Sequence, residues 1–263
     1  MNQSGVFIIE PFNKVFFAVL LVFFLILFVA TRELRKRSIE LRSKAVIAAS
    51  VFTICCYFLY KYSLSIDAEF SIATEAIGGF NWWGELPLHL CNVNMILLPI
   101  AVFTKKKPLL GFCFFVGPLG AIMALTMPGL GFSGYSILLP RMIGYYGTHF
   151  MVVILGLSLV TLGLYSPRFQ DIPTIILATI GIAFIAFVIS LALRITELNT
   201  HANYFFSIET EDNPILDMLY SKIPIPFVYL LPTSIILFVY MMIITTAYNS
   251  FKKKIGAIYE QQN

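Results

Sequence analysis

Val15-Phe-Phe-Ala-Val-Leu-Leu-Val-Phe-Phe-Leu-Ile-Leu-Phe-Val-Ala30 runs without a polar residue into Thr31-Arg-Glu-Leu-Arg-Lys-Arg37. With its flanking residues this stretch reaches the roughly 20 mostly apolar residues that a helix needs to cross a hydrocarbon core of about 30 Å. Only Lys14 precedes the run and the basic cluster follows it, the reverse of the charge order of a signal peptide. No A-x-A-type cleavage site follows either, so the helix is read as retained. The whole chain repeats the pattern. Its 263 residues are 59% hydrophobic and 12% charged, with a mean hydropathy of +0.85, whereas soluble domains carry about 25% charge. A water-soluble core cannot hide that much apolar surface. The net charge of +4 does not imply nucleic acid, because the basic residues sit in short clusters beside apolar runs, where they act as orientation signals.

Seven segments qualify as spans: residues 12–30, 45–63, 86–104, 108–127, 145–164, 173–194 and 226–247. None shows the short alternating pattern of a membrane barrel, and a backbone in lipid must satisfy its own hydrogen bonds, so the spans are helices. The expected fold is an all-α polytopic bundle of seven transmembrane helices forming a single domain over 1–263, with no internal repeat. Arg32, Arg35, Lys36, Arg37, Arg42, Lys44, Lys105, Lys106, Lys107, Arg168, Lys252, Lys253 and Lys254 all fall on one side of such a bundle, 13 of the 18 Lys and Arg. The other side holds Lys14, Lys61, Arg141, Arg194 and Lys222 together with the acidic stretches Asp67 to Glu75 and Glu209 to Asp217. The positive-inside rule makes the first set cytoplasmic, with the N-terminus outside and the C-terminus inside. The expected location is the cell membrane, as a multi-pass protein.

Polar groups in or beside spans are expensive in lipid, so their placement points to function. Three segments concentrate them: Gly84-Glu-Leu-Pro-Leu-His-Leu-Cys-Asn-Val-Asn94, Arg141-Met-Ile-Gly-Tyr-Tyr-Gly-Thr-His149 and Arg194-Ile-Thr-Glu-Leu-Asn-Thr-His-Ala-Asn-Tyr204. Each lies at the outer end of a predicted span, and together they contain all three histidines. Within the first, Pro87 reads as a first-turn proline, with Cys91 one turn on. His89 faces away from Cys91, because residues two apart do not share a helix face. The partner of Cys91 is therefore expected from another helix. His149 is the natural candidate, with Tyr145 and Tyr146 one turn above it; His201 is the alternative.

A thiol is a useful nucleophile once deprotonated, an imidazole can take its proton, and a helix N-terminus favours the thiolate. A Cys91 thioester with His149 as general base would move a fatty acyl chain in two steps, with a lipid-facing cavity accepting the chains. Glu85, His89, Asn92, Asn94, Arg141, Tyr145, Tyr146, Asn199, His201, Asn203 and Tyr204 are then the expected substrate-binding residues. Plainer readings stand beside this one. Cys55, Cys56 and Cys113 read as packing, and Cys91 itself is read either as packing or as the nucleophile. His149 is read as a helix-end residue or as the base, and Asn199, His201, Asn203 and Tyr204 as helix-end hydrogen-bonders. Arg194 and Glu197 read as an ion pair, and Trp82 and Trp83 as interfacial belt residues. The four cysteines show no C-x-x-C or zinc-knuckle spacing, so neither a disulfide framework nor a metal site is expected. A metal held by His89, Cys91, His149 and His201 lacks short-range ligand spacing, and no cofactor is expected. A transporter or sensor would use the same polar layer as a binding site, but transporters place their sites near the midplane.

Leu86-Pro-Leu-His-Leu-Cys91, His149 58 residues later, then Asn203-Tyr204, Leu216-Asp-Met-Leu-Tyr220 and a proline-rich entry to the last span resemble the bacterial YwaF-type integral membrane proteins. These are related to the eukaryotic transmembrane protein 164, and the resemblance covers residues 70 to 245. It implies a seven-helix acyltransferase moving fatty acyl groups between glycerophospholipids, with Cys91 as nucleophile and His149 as the essential histidine. Membrane phospholipids are the expected partners. Before the last span the tryptophan-rich stretch of the pattern is replaced by Ile223-Pro-Ile-Pro-Phe227.

Overall fold

The computed structural model describes residues 7–75, 78–129, 131–211 and 213–260, with side chains through residue 254. The ends of the expected 1–263 domain and residue 212 of the second acidic stretch lie outside these. Nine helices form among the described residues: α1 (Lys14–Leu34), α2 (Ile39–Ser65), α3 (Ala68–Thr74), α4 (Leu90–Thr104), α5 (Lys107–Thr126), α6 (Pro140–Thr161), α7 (Ile172–Ile195), α8 (Pro214–Tyr220) and α9 (Thr233–Glu260). A two-residue antiparallel pair, β1 (Ile8–Ile9) with β2 (Tyr135–Ser136), joins Ile8 to Ser136 and Ile9 to Tyr135. The fold is all-α, as the composition requires. Six helices, α1, α2, α5, α6, α7 and α9, are long and apolar enough to cross a membrane.

The third expected span, 86–104, is not a single helix of that length. α4 has 15 residues, about 22 Å at 1.5 Å per residue and short of a hydrocarbon core. Pro87 does not start it. The Leu88 N–H donates to the Leu86 carbonyl at 2.7 Å, a tight turn across Pro87, and His89 is the extended N-cap. Elsewhere the boundaries shift for local reasons. α6 begins five residues earlier than expected, at Pro140, a residue suited to a first turn because it has no N–H to leave unpaired. α9 begins only after Pro226 and Pro232, with the short 3-10 turn Val228–Leu230 between them.

α6 is the central helix, buried along most of its length. Its close neighbours reach it at glycines, as helices in lipid must when small residues let backbones approach. A Cβ on Gly144 would sit 2.1 Å from Tyr60 Cβ of α2, and one on Gly156 would sit 2.4 Å from Pro118 Cγ of α5. α5 widens into a π turn at Phe112–Val116, just before Pro118, which has no N–H for the carbonyl one turn back. Tyr240 of α9 donates its hydroxyl to the Phe115 carbonyl in that turn at 3.3 Å.

The two ends of the bundle differ in chemistry. At the basic end, Arg42 donates to the Leu162 carbonyl at 3.0 Å and to the Arg35 carbonyl at 2.7 Å, while Arg35 donates to the Thr161 carbonyl at 2.5 Å. These satisfy carbonyls that the ends of α6 and α1 leave without helical partners. At the other end the loops interlock: Asn81 donates to the Leu198 carbonyl at 3.0 Å, and Tyr204 donates to the Trp83 carbonyl.

Candidate functional site

Because α4 starts at Leu90, Cys91 is the second residue of its first turn rather than one turn inside it. The helix N-terminus leaves the first backbone N–H groups without intrahelical partners, and the thiol sits among them. From α6, His149 reaches the same point: Cys91 Sγ lies 3.4 Å from His149 Nε2. The Gly144 close approach positions α6 against α2, and the imidazole is nine residues into α6 from Pro140.

The tautomer of His149 follows from its other nitrogen. Nδ1 lies 2.7 Å from the Tyr145 carbonyl, which can only accept, so Nδ1 carries the proton. Nε2 then presents its lone pair to the thiol, the geometry a general base requires. The Tyr145 ring packs against the imidazole with centroids 4.4 Å apart and stacks on Phe132 at 4.3 Å. The Tyr145 hydroxyl donates to the Ala124 carbonyl at 2.7 Å, so the holder of His149 is itself held. Cys91 and His149 are 7% and 4% exposed. Both side chains are thus covered by their neighbours in the bundle.

Around the pair the expected residues separate into three groups. Glu85 and Asn92 lie beside the pair: Asn92 Oδ1 is 3.5 Å from Cys91 Sγ, and Asn92 Nδ2 donates to Tyr57 Oη at 3.4 Å. The Tyr57 hydroxyl donates to the Glu85 carbonyl at 2.8 Å, and the Glu85 carboxylate pairs with Lys61. His89 does turn away from Cys91. Its ring meets Tyr204 edge-on at 5.1 Å and Phe206 at 6.3 Å. Asn94 is buried against Gly117, whose Cβ would fall 2.2 Å from its Cγ, and its Oδ1 has no hydrogen-bond partner among the described residues.

A second group braces the scaffold. Arg141 is bound by Asp67 at 2.6 Å and Glu69 at 3.0 Å, over the Tyr135 ring at 4.3 Å. The Tyr146 hydroxyl donates to the Phe132 carbonyl at 3.2 Å. The third group organises the stretch from 196 to 211 that follows α7. Asn203 donates to the Glu209 carbonyl and the Glu211 carboxylate at 2.8 and 2.7 Å and accepts from Ile208 and Glu209 N–H. Asn199 Oδ1 accepts from the His201 N–H at 2.9 Å. His201 is exposed and packs toward Gly78; the imidazole against the thiol is that of His149. The Arg194–Glu197 pair does not form. The helix ends at Ile195 and Glu197 turns left-handed, so the three-residue helical spacing is lost and Arg194 pairs with Glu209 at 2.6 Å. That guanidinium holds the Glu209 carboxyl below its usual range.

Sequence reasoning missed Tyr57 and Lys61. The charge pattern sets Lys61 among the outer-side charges, yet it is buried in the last turns of α2, between the rings of Tyr57 at 5.2 Å and Tyr60 at 4.6 Å. The signal was a lysine inside an apolar span with tyrosines one and four residues before it, since an ionisable group there demands a partner.

The TMEM164 family model matches residues 8–246. The chain belongs to the TMEM164 family. The match to the TMEM164 family reaches back through α1, further than the resemblance over 70 to 245. The chain matches no curated protein and no solved structure. It is a TMEM164 family protein with multiple candidate spans, and its buried Cys91 hydrogen-bonded to His149 is compatible with a Cys–His site.

Proposed function

We propose that this protein is a membrane-embedded acyltransferase of the YwaF type that moves a fatty acyl chain between phospholipids, or to a lipid-linked acceptor, through a Cys91 thioester. The observation that carries this reading is the 3.4 Å contact between Cys91 Sγ and His149 Nε2 with Nδ1 fixed on the Tyr145 carbonyl. In the first step the S–H proton moves to Nε2 and sulfur attacks the ester carbonyl of the donor lipid. The oxyanion of the tetrahedral intermediate develops beside the free N–H groups at the start of α4, where such donors are worth most. Collapse breaks the ester C–O bond. The leaving lysolipid oxygen takes the proton from Nε2, and the acyl group stays on sulfur. An acceptor hydroxyl then gives its proton to Nε2, attacks the thioester, and the sulfur leaves and recovers the proton.

The setting supports a lipid substrate. The pair lies among apolar helices, and Asn92, Tyr57, Glu85 and Lys61 form a chain of polar contacts that starts at the thiol. The proposed topology is seven-spanning in the cell membrane with the N-terminus outside. In it the irregular segment before α4 completes a crossing that 15 helical residues do not make, which lipid tolerates where such backbone is buried in protein. Incubation of the purified protein with phospholipid followed by mass spectrometry is the test. The expected result is an acyl adduct on Cys91, released by hydroxylamine. Absence of the adduct, with unimpaired lipid remodelling by Cys91→Ser, overturns the proposal.

A further inference from the structure

Hydrogen-bond directions fixed by chemistry lead from Glu85 to Cys91. Tyr57 has one hydroxyl proton, and it is given to the Glu85 carbonyl at 2.8 Å, which can only accept. Toward Asn92, 3.4 Å away, the Tyr57 oxygen is therefore an acceptor, so the amide nitrogen of Asn92 faces it. That leaves Asn92 Oδ1 facing Cys91 Sγ at 3.5 Å. An acceptor there favours the S–H form and repels a thiolate. The single S–H proton is thus offered to two acceptors: His149 Nε2, which can take it, and Asn92 Oδ1, which can only hold it in place.

We infer that Tyr57 is a positioning residue that locks the Asn92 amide in the orientation keeping Cys91 a neutral thiol, and that displacement of the Glu85 segment releases this lock. The inference rests on the Cys91–His149 reading of the site and adds its regulation. The lock has an anchor and a movable part. Lys61, buried between the Tyr57 and Tyr60 rings, pairs with the Glu85 carboxylate. Glu85 lies in the non-helical stretch before α4 and its side chain is 23% exposed. When Glu85 moves, the Tyr57 hydroxyl loses its acceptor and is free to donate to Asn92 Oδ1 instead. The amide then turns its nitrogen to the sulfur. The S–H bond breaks, an N–H bond forms on Nε2, and the Asn92 N–H donates to the thiolate, a charge-assisted bond stronger than the neutral one it replaces.

The test is the rate of Cys91 alkylation by iodoacetamide in the full-length protein at fixed neutral pH, read from the mass of the Cys91 peptide, with the Cys113 peptide as internal reference. Tyr57→Phe frees the amide nitrogen and is expected to alkylate about tenfold faster than wild type, roughly the gain from one charge-assisted hydrogen bond. Asn92→Asp places a carboxylate without donors against the sulfur and is expected to react about tenfold more slowly. Loosened packing would raise both rates, so opposite signs separate gating from damage. A Tyr57→Phe rate equal to wild type, or two shifts in the same direction, overturns the inference. If Tyr57→Phe does not fold, Asn92→Asp decides alone: a rate at or above wild type overturns it. Alkylation needs no acyl donor. Opposite shifts without an acyl adduct, and with unimpaired lipid remodelling by Cys91→Ser, therefore sink the acyltransferase reading and leave the lock standing, and an adduct with unshifted rates does the reverse.

Discussion

Arg141 Nη1 lies 2.6 Å from Asp67 Oδ2, which ties the first turn of the helix carrying His149 to the N-cap of α3. The guanidinium side chain is 2% exposed, so removing one of its two carboxylate partners leaves a buried charge compensated by Glu69 alone. Burial raises the Asp67 carboxyl, but the Phe70 N–H and the Arg141 guanidinium outweigh it and hold the group below its usual 3.8. A depressed carboxyl contributes its full stabilisation above the unfolded value and loses it as pH falls through the lower folded value. Asp67→Asn is therefore expected to lower stability by about 1–3 kcal/mol at pH 6. The difference from wild type should shrink by pH 3. Thermal unfolding of purified protein at the two pH values measures this, and equal midpoints at pH 6 would refute it.

The charge asymmetry sets a second expectation. Ser38 caps α2 at the basic end, accepting from the Leu41 N–H at 3.3 Å, and Ser71 lies on α3 at the other end. Cysteines placed at these positions should react with a membrane-impermeant label from opposite sides, Ser38→Cys only from the cytoplasm and Ser71→Cys only from outside. Reaction of both from one side would overturn the proposed orientation.

Gly144 supplies a third. With Tyr60 Cβ 2.1 Å from where its own Cβ would stand, even alanine forces α2 and α6 apart, and overpacking of this kind costs about 1–3 kcal/mol. His149 lies five residues further along the same helix, and Tyr57 and Lys61 lie on α2. Gly144→Ala is therefore expected to lower acyl transfer more than it lowers the amount of folded protein. Activity per folded molecule equal to wild type would show that the close approach does not position the site.

Legibility in the sequence followed the physics of each feature. The apolar runs and the Cys91–His149 pair were readable, because hydropathy is a local property and polar residues in spans are few. The start of α4 was not. Pro87 suits a first turn, but the Glu85 contacts to Tyr57 and Lys61 come from another helix, and no local pattern records them. Lys61 was visible as a charge but its partner was not, since Glu85 is 24 residues away and meets it only in the folded bundle. The roles of Arg141 and Arg194 failed to emerge for the same reason. Their carboxylate partners, Asp67 and Glu69 at the start of α3 and Glu209 in the stretch after α7, meet them only in the folded bundle, which no periodicity records.

Cys91→Ser keeps the shape of the side chain but replaces a thiol with a hydroxyl that is far harder to deprotonate, so it should lose nearly all acyl transfer. His149→Ala removes the nitrogen 3.4 Å from the sulfur, and general-base assistance is typically worth about 10²- to 10⁴-fold. Both proteins should still be made and folded, because each change removes one side chain's contacts without adding a buried charge. Two controls locate the effect. Cys113→Ser, in the π turn of α5 and outside the site, should retain activity. His201→Ala should also retain most of it, since that imidazole is exposed near Gly78. Lipid remodelling measured in membranes, normalised to folded protein, separates these outcomes. Full activity in His149→Ala with a loss in His201→Ala would move the base to the outer loop, and the contact to His149 would then be packing alone.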